Sequence, residues 1–396
     1  MTNEKTNTFE HLAQTSDNPM AFEVENAEGI YFYDKRGKKF IDIISGISVN
    51  NLGHKHPAII KAIKEQCDKY LHVMAYGEFV EQPQIDYADL LVKYLPKPLD
   101  SVYFVNSGSE AIEGALKLAK RFTGRTEIIS FENSYYGGTH GALSIAGNDE
   151  FKNSFRPLLP DVRIIKYNHT ESLEHITERT ACVVAECIQG EGGYIIPDDG
   201  YLAKLSKRCI DTGALLIIDE VQTGFGRTGE LFAIEHEKIV PDILVLAKAL
   251  GGGMPLGAFI ASSSLMGKLK SEPMLGHITT FGGHPVCCAA GIAFMNELID
   301  SQIYKQAEAK GKLFKESLKH ERIKEFRGKG LMIAIRFEDE DFCQKVINNC
   351  LMNGLISDSF VFAGDCFRIT PPLIITAEEI EEACDIIISS IENIKS

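Results

Sequence analysis

Four segments place chemistry-bearing residues at the ends of apolar runs. Val102-Tyr-Phe-Val105 leads into Asn106-Ser-Gly-Ser-Glu-Ala111, after which Ile112, Ala115, Leu116 and Ala119 share one helical face. A Ser/Gly turn entering a helix presents free backbone N–H groups and the positive end of a dipole, which suits a phosphate. The same residue types also serve as a plain helix cap. A second run, Ile217-Ile218, ends on Asp219-Glu-Val-Gln222. A carboxylate at such a strand end is partly buried and needs a cationic partner, unless it only caps a loop. Lys248 is the single charge between Ile243 and Gly267. A desolvated lysine has a lowered pKa and attacks carbonyls, whereas a snorkelling lysine at a strand end leaves the same pattern. The fourth segment, Ala185-Glu-Cys-Ile-Gln-Gly-Glu-Gly-Gly193, is a turn rich in carboxylates and glycine.

Phosphate donors, a buried carboxylate and an amine nucleophile are together what pyridoxal 5'-phosphate requires. An aromatic flanking the ring would complete such a site. Tyr135 and Tyr136, in Ser134-Tyr-Tyr-Gly-Gly-Thr139, are the candidates, with strand-edge packing as their ordinary alternative.

The elements that must position these residues follow from periodicity. From about residue 100 to 262 short apolar runs alternate with helical stretches: 102–105, 127–130, 162–165, 181–185, 214–218, 243–246 and 258–261. This predicts an α/β fold with a mostly parallel sheet covered on both faces, whose ligands sit at the carboxyl ends of strands. Ile30–Tyr33 and Phe40–Ile43 flank a hairpin turn at Asp34–Gly37. Near the other end, Thr376 and Glu379 form a capping box ahead of Ile380, Cys384, Ile387 and Ile391. The length of 396 residues suggests two or three domains, and the pattern favours two. Residues 57–290 form the large domain, and residues 1–56 and 291–396 build a smaller α+β domain.

Composition narrows the partners. With 41 basic and 55 acidic residues the net charge is −14, which argues against nucleic acid or a membrane surface. The triple glycine at 251–253 and Pro255 break the apolar stretch at 243–267, which therefore reads as strand, turn and strand rather than a membrane span. The ten cysteines include no CxxC pair, and the polar amino end has no apolar signal segment. These features predict a cytoplasmic protein with reduced thiols and no metal. His54-Lys-His56 lacks a suitably spaced ligand partner and reads as the turn before a helix starting near Pro57.

The chain resembles the class III pyridoxal-phosphate aminotransferases, which include acetylornithine, ornithine and 4-aminobutyrate aminotransferases. Five motifs carry the resemblance in order: residues 45–57, 106–111, 218–229, 247–253 and 279–283. The resemblance implies a fold-type I transferase in which Lys248 bonds the cofactor and Asp219 pairs with the pyridine nitrogen. Gln222 would reach the ring hydroxyl, Tyr135 would stack on the ring, and Gly108 and Ser109 would hold the phosphate. Thr280 would reach the phosphate of the neighbouring subunit, implying a homodimer with sites at the interface. Glu191 and Arg368 would form a gate in which the arginine takes a substrate carboxylate and the glutamate masks it for the other half-reaction. Ile47 and Thr279 would border the substrate.

The implied reaction moves an amino group from an amino acid or ω-amine to a 2-oxo acid, with 2-oxoglutarate favoured over pyruvate. Decarboxylation or an aminomutase reaction on the same cofactor is the alternative. Three departures from the family pattern bear on specificity. Gly138 stands where many members have an arginine for the distal carboxylate, Cys187 replaces a usual proline, and His284 a usual asparagine. Gly224-Phe-Gly-Arg-Thr-Gly229 also fits a dinucleotide fingerprint, with Asp242 beyond it, making an NAD-dependent dehydrogenase the rival from another class. Residues 219–223 separate it from the strand it should follow directly.

Overall fold

The structure is a computed structural model and describes residues 9–75 and 77–394. Residues 1–8, which open the polar amino end, lie outside the described residues. Strands β1 (Asn26–Glu28), β2 (Tyr31–Tyr33) and β3 (Lys39–Asp42) form an antiparallel meander. The β2–β3 turn closes with Gly37 N–H on the Asp34 carbonyl at 2.9 Å, and Gly37 takes a φ of 77° that favours glycine.

Seven strands build the central sheet. They are β4 (Ser101–Val105), β5 (Glu127–Phe131), β6 (Val162–Ile165), β7 (Thr180–Glu186), β8 (Leu215–Asp219), β9 (Ile243–Leu246) and β10 (Gly257–Ala261). Their order is β4-β10-β9-β8-β7-β5-β6. Only β10 runs antiparallel to its neighbours, so the remaining six strands point the same way. Strands β5 and β7 to β10 are buried along their whole length, as expected for a sheet covered on both faces.

Helix α1 (Gly108–Thr123) lays Ala111, Ile112, Ala115, Leu116 and Ala119 against that sheet. Each larger apolar side chain buried there contributes about 2 kcal/mol. Helix α2 (Pro285–Ser301) begins on a proline at its first turn, and its range includes residue 290, where the sequence placed a domain boundary.

Strands β11 (Glu325–Lys329), β12 (Met332–Arg336) and β14 (Cys366–Ile369) form an antiparallel sheet in the order β11-β12-β14. The short β13 (Leu355–Ile356) pairs parallel with β3, joining the two ends of the chain. Helix α3 (Glu340–Met352) precedes β13. Helix α4 (Ala377–Glu392) carries the predicted capping box, and Ile380, Cys384, Ile387 and Ile391 are buried on its inner face. Among the described residues, no helix is long and apolar enough to cross a membrane.

Candidate active site

Six like-pointing strands deliver loops to one edge of the central sheet, and a cavity of about 470 Å³ opens there. Asn106 follows β4, Tyr135 follows β5, Glu186 and Asp219 end β7 and β8, and Lys248 follows β9. All five line the cavity, together with Gly108, Ser109, Gln222 and Glu191. A one-residue slip in any strand would turn its contribution to the opposite face.

Ser107 caps α1 by accepting the Glu110 N–H at 3.1 Å, leaving the first-turn amides of Gly108 and Ser109 directed at the cavity end. A Cβ on Gly108 would come within 3.1 Å of the Val221 methyls, so glycine lets this helix end approach the β8 loop without Val221 giving way. Ser109 Oγ bonds Thr139 Oγ1 at 2.7 Å and accepts the Thr139 N–H, tying the helix end to the loop that bears Tyr135.

Asp219 is 7% exposed, and its described hydrogen bond is from Val221 N–H at 2.8 Å. Burial pushes its carboxyl up to about 6, against the Val221 bond and Lys248. Lys248 adopts the left-handed region at φ 49°, which costs a non-glycine residue about 1 kcal/mol or more. Burial lowers its ammonium pKa, while Glu191 and Asp219 oppose the shift.

Both tyrosines line the cavity but differ in exposure. Tyr135 remains 39% exposed and faces Phe362 edge-on, with ring centroids 6.2 Å apart. Tyr136 is buried and donates its hydroxyl to the Val184 carbonyl at 2.9 Å, a structural role.

Glu191 and Arg368 meet as a bidentate pair. Arg368 Nη1 donates to Oε1 at 3.1 Å and Nη2 to Oε2 at 2.8 Å, and the arginine side chain is 1% exposed. Burial alone would raise the Glu191 carboxyl, but Arg368 more than offsets this and holds it below its usual range. Arg368 itself does not line the cavity; Glu191 stands between the two.

Thr279, Thr280 and Ile47 are not among the residues lining the cavity. Thr279 accepts a hydrogen bond from Asn106 Nδ2 at 3.1 Å, which places it behind the cavity wall. Thr280 is exposed. Ile47 has φ 60°, and Val49, two residues on, lines the cavity.

Sequence reasoning missed Tyr194, Asp358 and Arg227, and left Glu186 without a role. Tyr194 Oη accepts from Gln222 Nε2 at 3.1 Å and from Arg368 Nη1 at 3.4 Å, linking the cofactor side to the gate. Glu186 accepts the Gly190 N–H at 2.7 Å and the Tyr135 N–H at 3.3 Å. Its place in the carboxylate-rich turn was the available signal. For Asp358 there was none.

Other features resolve as packing. His284 caps α2 by accepting Val286 N–H at 3.3 Å. His54 pairs with the buried Asp42 at 2.7 Å, and a helix does start at Pro57. The glycine-rich 224–229 segment opens no phosphate-binding helix; the next helix is Ile234–Glu237. Its Arg227 is instead buried against backbone carbonyls, and Asp242 accepts the Leu216 N–H at 2.8 Å. Among the described residues, no group of three or more metal-ligating side chains is present.

A lysine, a buried carboxylate short of a cationic partner, a glycine-started helix end and an exposed ring on one cavity fit pyridoxal phosphate. The comparisons agree. Residues 12–391 match the model of the aminotransferase class-III family. The chain belongs to that family and is a pyridoxal-phosphate-dependent transaminase of fold type I.

Among individual relatives, it is 41% identical to the acetylornithine aminotransferase of Methanopyrus kandleri over 359 residues, covering 90% of each chain. It is 39% identical to the acetylornithine aminotransferase of Aquifex aeolicus, covering 91% of this chain and 94% of that one. Of solved structures, the ornithine aminotransferase of Toxoplasma gondii superposes with a TM-score of 0.91 at 31% identity, covering 98% and 94%. The adenosylmethionine-8-amino-7-oxononanoate aminotransferase of Methanocaldococcus jannaschii superposes with a TM-score of 0.91 at 30% identity, covering 98% and 99%.

Proposed function

We propose that this enzyme moves an amino group from an amino acid or ω-amine, of the acetylornithine, ornithine and 4-aminobutyrate kind, to a 2-oxo acid. The observation that carries this reading is the bidentate Glu191–Arg368 pair, whose Glu191 lines the same cavity as Lys248 and Asp219. A gate of this kind serves two substrates that differ in where they carry a carboxylate. Two of the most similar relatives, both acetylornithine aminotransferases, support the donor class.

Pyridoxal phosphate, when bound, supplies an electron-withdrawing ring that stabilises charge developing on the substrate carbon. Lys248 would hold it, and the Lys248 Nζ would serve as the base that moves the substrate proton. Asp219 provides the anion for the ring nitrogen, Gln222 a donor for the ring hydroxyl and Tyr135 a stacking face. The Gly108 and Ser109 amides cradle the phosphate. Ile47, two residues before the cavity-lining Val49, borders the substrate, and Thr279 acts on it through the Asn106 side chain that it holds. Thr280 completes the phosphate site of a second subunit in a homodimer. Exposed Met274, Leu275, Ile278 and Phe281 beside it support this, as a surface that a second copy would cover. The ten unpaired cysteines support a reducing compartment such as the cytoplasm.

2-Oxoglutarate is the favoured acceptor. Pyruvate is the second reading, and a specific observation favours it. Gly138 is exposed with open space where a Cβ would stand, so no side chain offers a cation at that position. The nearby aromatic group of Tyr135, Phe362 and Phe151 is apolar in character.

The test is a half-reaction screen on the purified enzyme. Amines should bleach the absorbance band of the lysine-bound cofactor, and one 2-oxo acid should restore it best. Lys248→Ala should lack that band from the start. A band that persists in the variant, or that no amine changes, would refute the assignment.

A further inference from the structure

The gate arginine carries two carboxylates. Beside its fork on Glu191, Arg368 donates Nε to Asp358 Oδ1 at 2.9 Å. Tyr194 Oη and the Ser359 carbonyl take further Nη bonds, and the Phe360 ring lies 4.2 Å from the guanidinium carbon. The two acids are held differently. Asp358 is fixed to the arginine's own strand, because its carbonyl accepts the Arg368 N–H at 2.9 Å. Glu191 sits in a glycine-rich turn on the cavity wall. Asp358 does not line the cavity at all.

If Glu191 yields Arg368 to a substrate carboxylate, the arginine must pass through a state in which its Nη fork is empty. A cation 1% exposed and without a counter-charge is strongly disfavoured. Asp358 changes the charge sequence. With it, the cluster is singly negative when closed, neutral while the carboxylates exchange, and singly negative again when substrate is seated. Without it, the exchanging state is an uncompensated buried cation. Burial raises the Asp358 carboxyl, Arg368 opposes that, and Glu191 adds to it, so the closed gate also contains a like-charge repulsion.

We propose that Asp358 is the standing counter-ion of the gate, a positioning residue that holds the Nε edge of Arg368 throughout and lowers the barrier to exchange on the Nη fork. This rests on the gate reading above. It confines the effect to substrates that bring a carboxylate to Arg368, because an amine without one leaves the gate closed.

The experiment measures both half-reactions of the holoenzyme in single turnover. One uses a carboxylate-free primary amine such as 1-phenylethylamine, the other the 2-oxo acid that wild type accepts best. Asp358→Asn keeps an acceptor for Nε and removes the charge. Its oxo-acid rate constant should fall about tenfold or more, corresponding to 1.4 kcal/mol on the barrier, with little change in the half-saturating concentration. The amine half-reaction should stay within about twofold of wild type, which also reports correct folding. Asp358→Glu should retain most of the oxo-acid rate. Equal slowing of both half-reactions, or of neither, overturns the proposal. Arg368→Ala separates the two levels: if it leaves oxo-acid saturation unchanged, the gate reading itself fails and this inference with it.

Discussion

Glu186 and Asp219 stand directly opposite each other on β7 and β8, two buried carboxylates in one register. Burial, then the charge of Asp219, pushes the Glu186 carboxyl well above its usual range, so the pair favours a single ionised member. The Asp219 carboxyl is itself pushed up to about 6. The sign of the linkage follows. A folded-state pKa raised from 3.8 to about 6 means that the folded protein binds the proton more tightly. This group therefore costs stability as pH rises through that window, by about 3 kcal/mol once it is complete. In the cofactor-free protein, Asp219→Asn should remove this cost, so its stability advantage over wild type should grow between pH 4 and 6. Cofactor affinity of the wild type should increase over the same range, because the ionised carboxylate is the form that pairs with a protonated ring nitrogen. Urea unfolding at several pH values measures the first; a difference that stays flat from pH 4 to 7 contradicts it.

At the scale of elements, the site depends on how closely a helix end, a strand end and a loop can approach. Gly137 has φ 122°, and a Cβ there would fall inside contact distance of Ser109 Oγ. Only glycine satisfies both conditions. Gly137→Ala should push Ser109 off Thr139 and shift the amino end of α1. The strain of about 1–3 kcal/mol should appear as weaker cofactor binding, tenfold or more, in a fluorescence titration of the cofactor-free protein. Unchanged affinity would mean that the helix end is not the phosphate cradle. Gly138, its neighbour, has open space at the Cβ position and an ordinary φ. Sterics do not require that glycine, so its absence of charge is a matter of specificity.

For the molecule as a whole, Arg227 joins parts of the chain far apart in sequence. Its Nη1 bonds the carbonyls of Leu331 and Pro371, and its Nη2 the side chains of Ser45 and Asn51. Its Nε has no described partner, and burial lowers its pKa to about 10. Ser45 in turn donates to the Thr370 carbonyl at 2.8 Å, two residues beyond Arg368. The central sheet, the amino end and the strand bearing the gate are thus locked through one guanidinium. Arg227→Met should destabilise the fold by about 3 kcal/mol, because several buried acceptors lose their donor. A lowered thermal midpoint in the holoenzyme checks this, and an unshifted midpoint refutes it. The net charge of −14 works against non-specific aggregation. It does not oppose anion binding at a helix end set inside that field.

The seven strands of the central sheet were legible in the amino-acid sequence, because each run lies within a residue or two of its observed bounds and buried parallel strands are unbroken apolar segments, whereas β1 and β11 to β14 were not. The sequence by itself determined the capping box, since that motif is local. It also singled out Lys248, Asp219, Glu191 and Arg368, because charge inside apolar sequence or a family motif marks each. The tertiary structure alone decided which neighbours complete them. Asp358 reaches Arg368 ten residues further along the chain, Glu186 faces Asp219 only through strand register, and Tyr194 bridges Gln222 to Arg368. It also decided that Tyr135 keeps an exposed ring while Tyr136 is core. The reason is range. Periodicity and capping act within a few residues, whereas the charge balance of a buried site is set by whichever groups packing brings within a few ångströms, however far apart they lie along the chain.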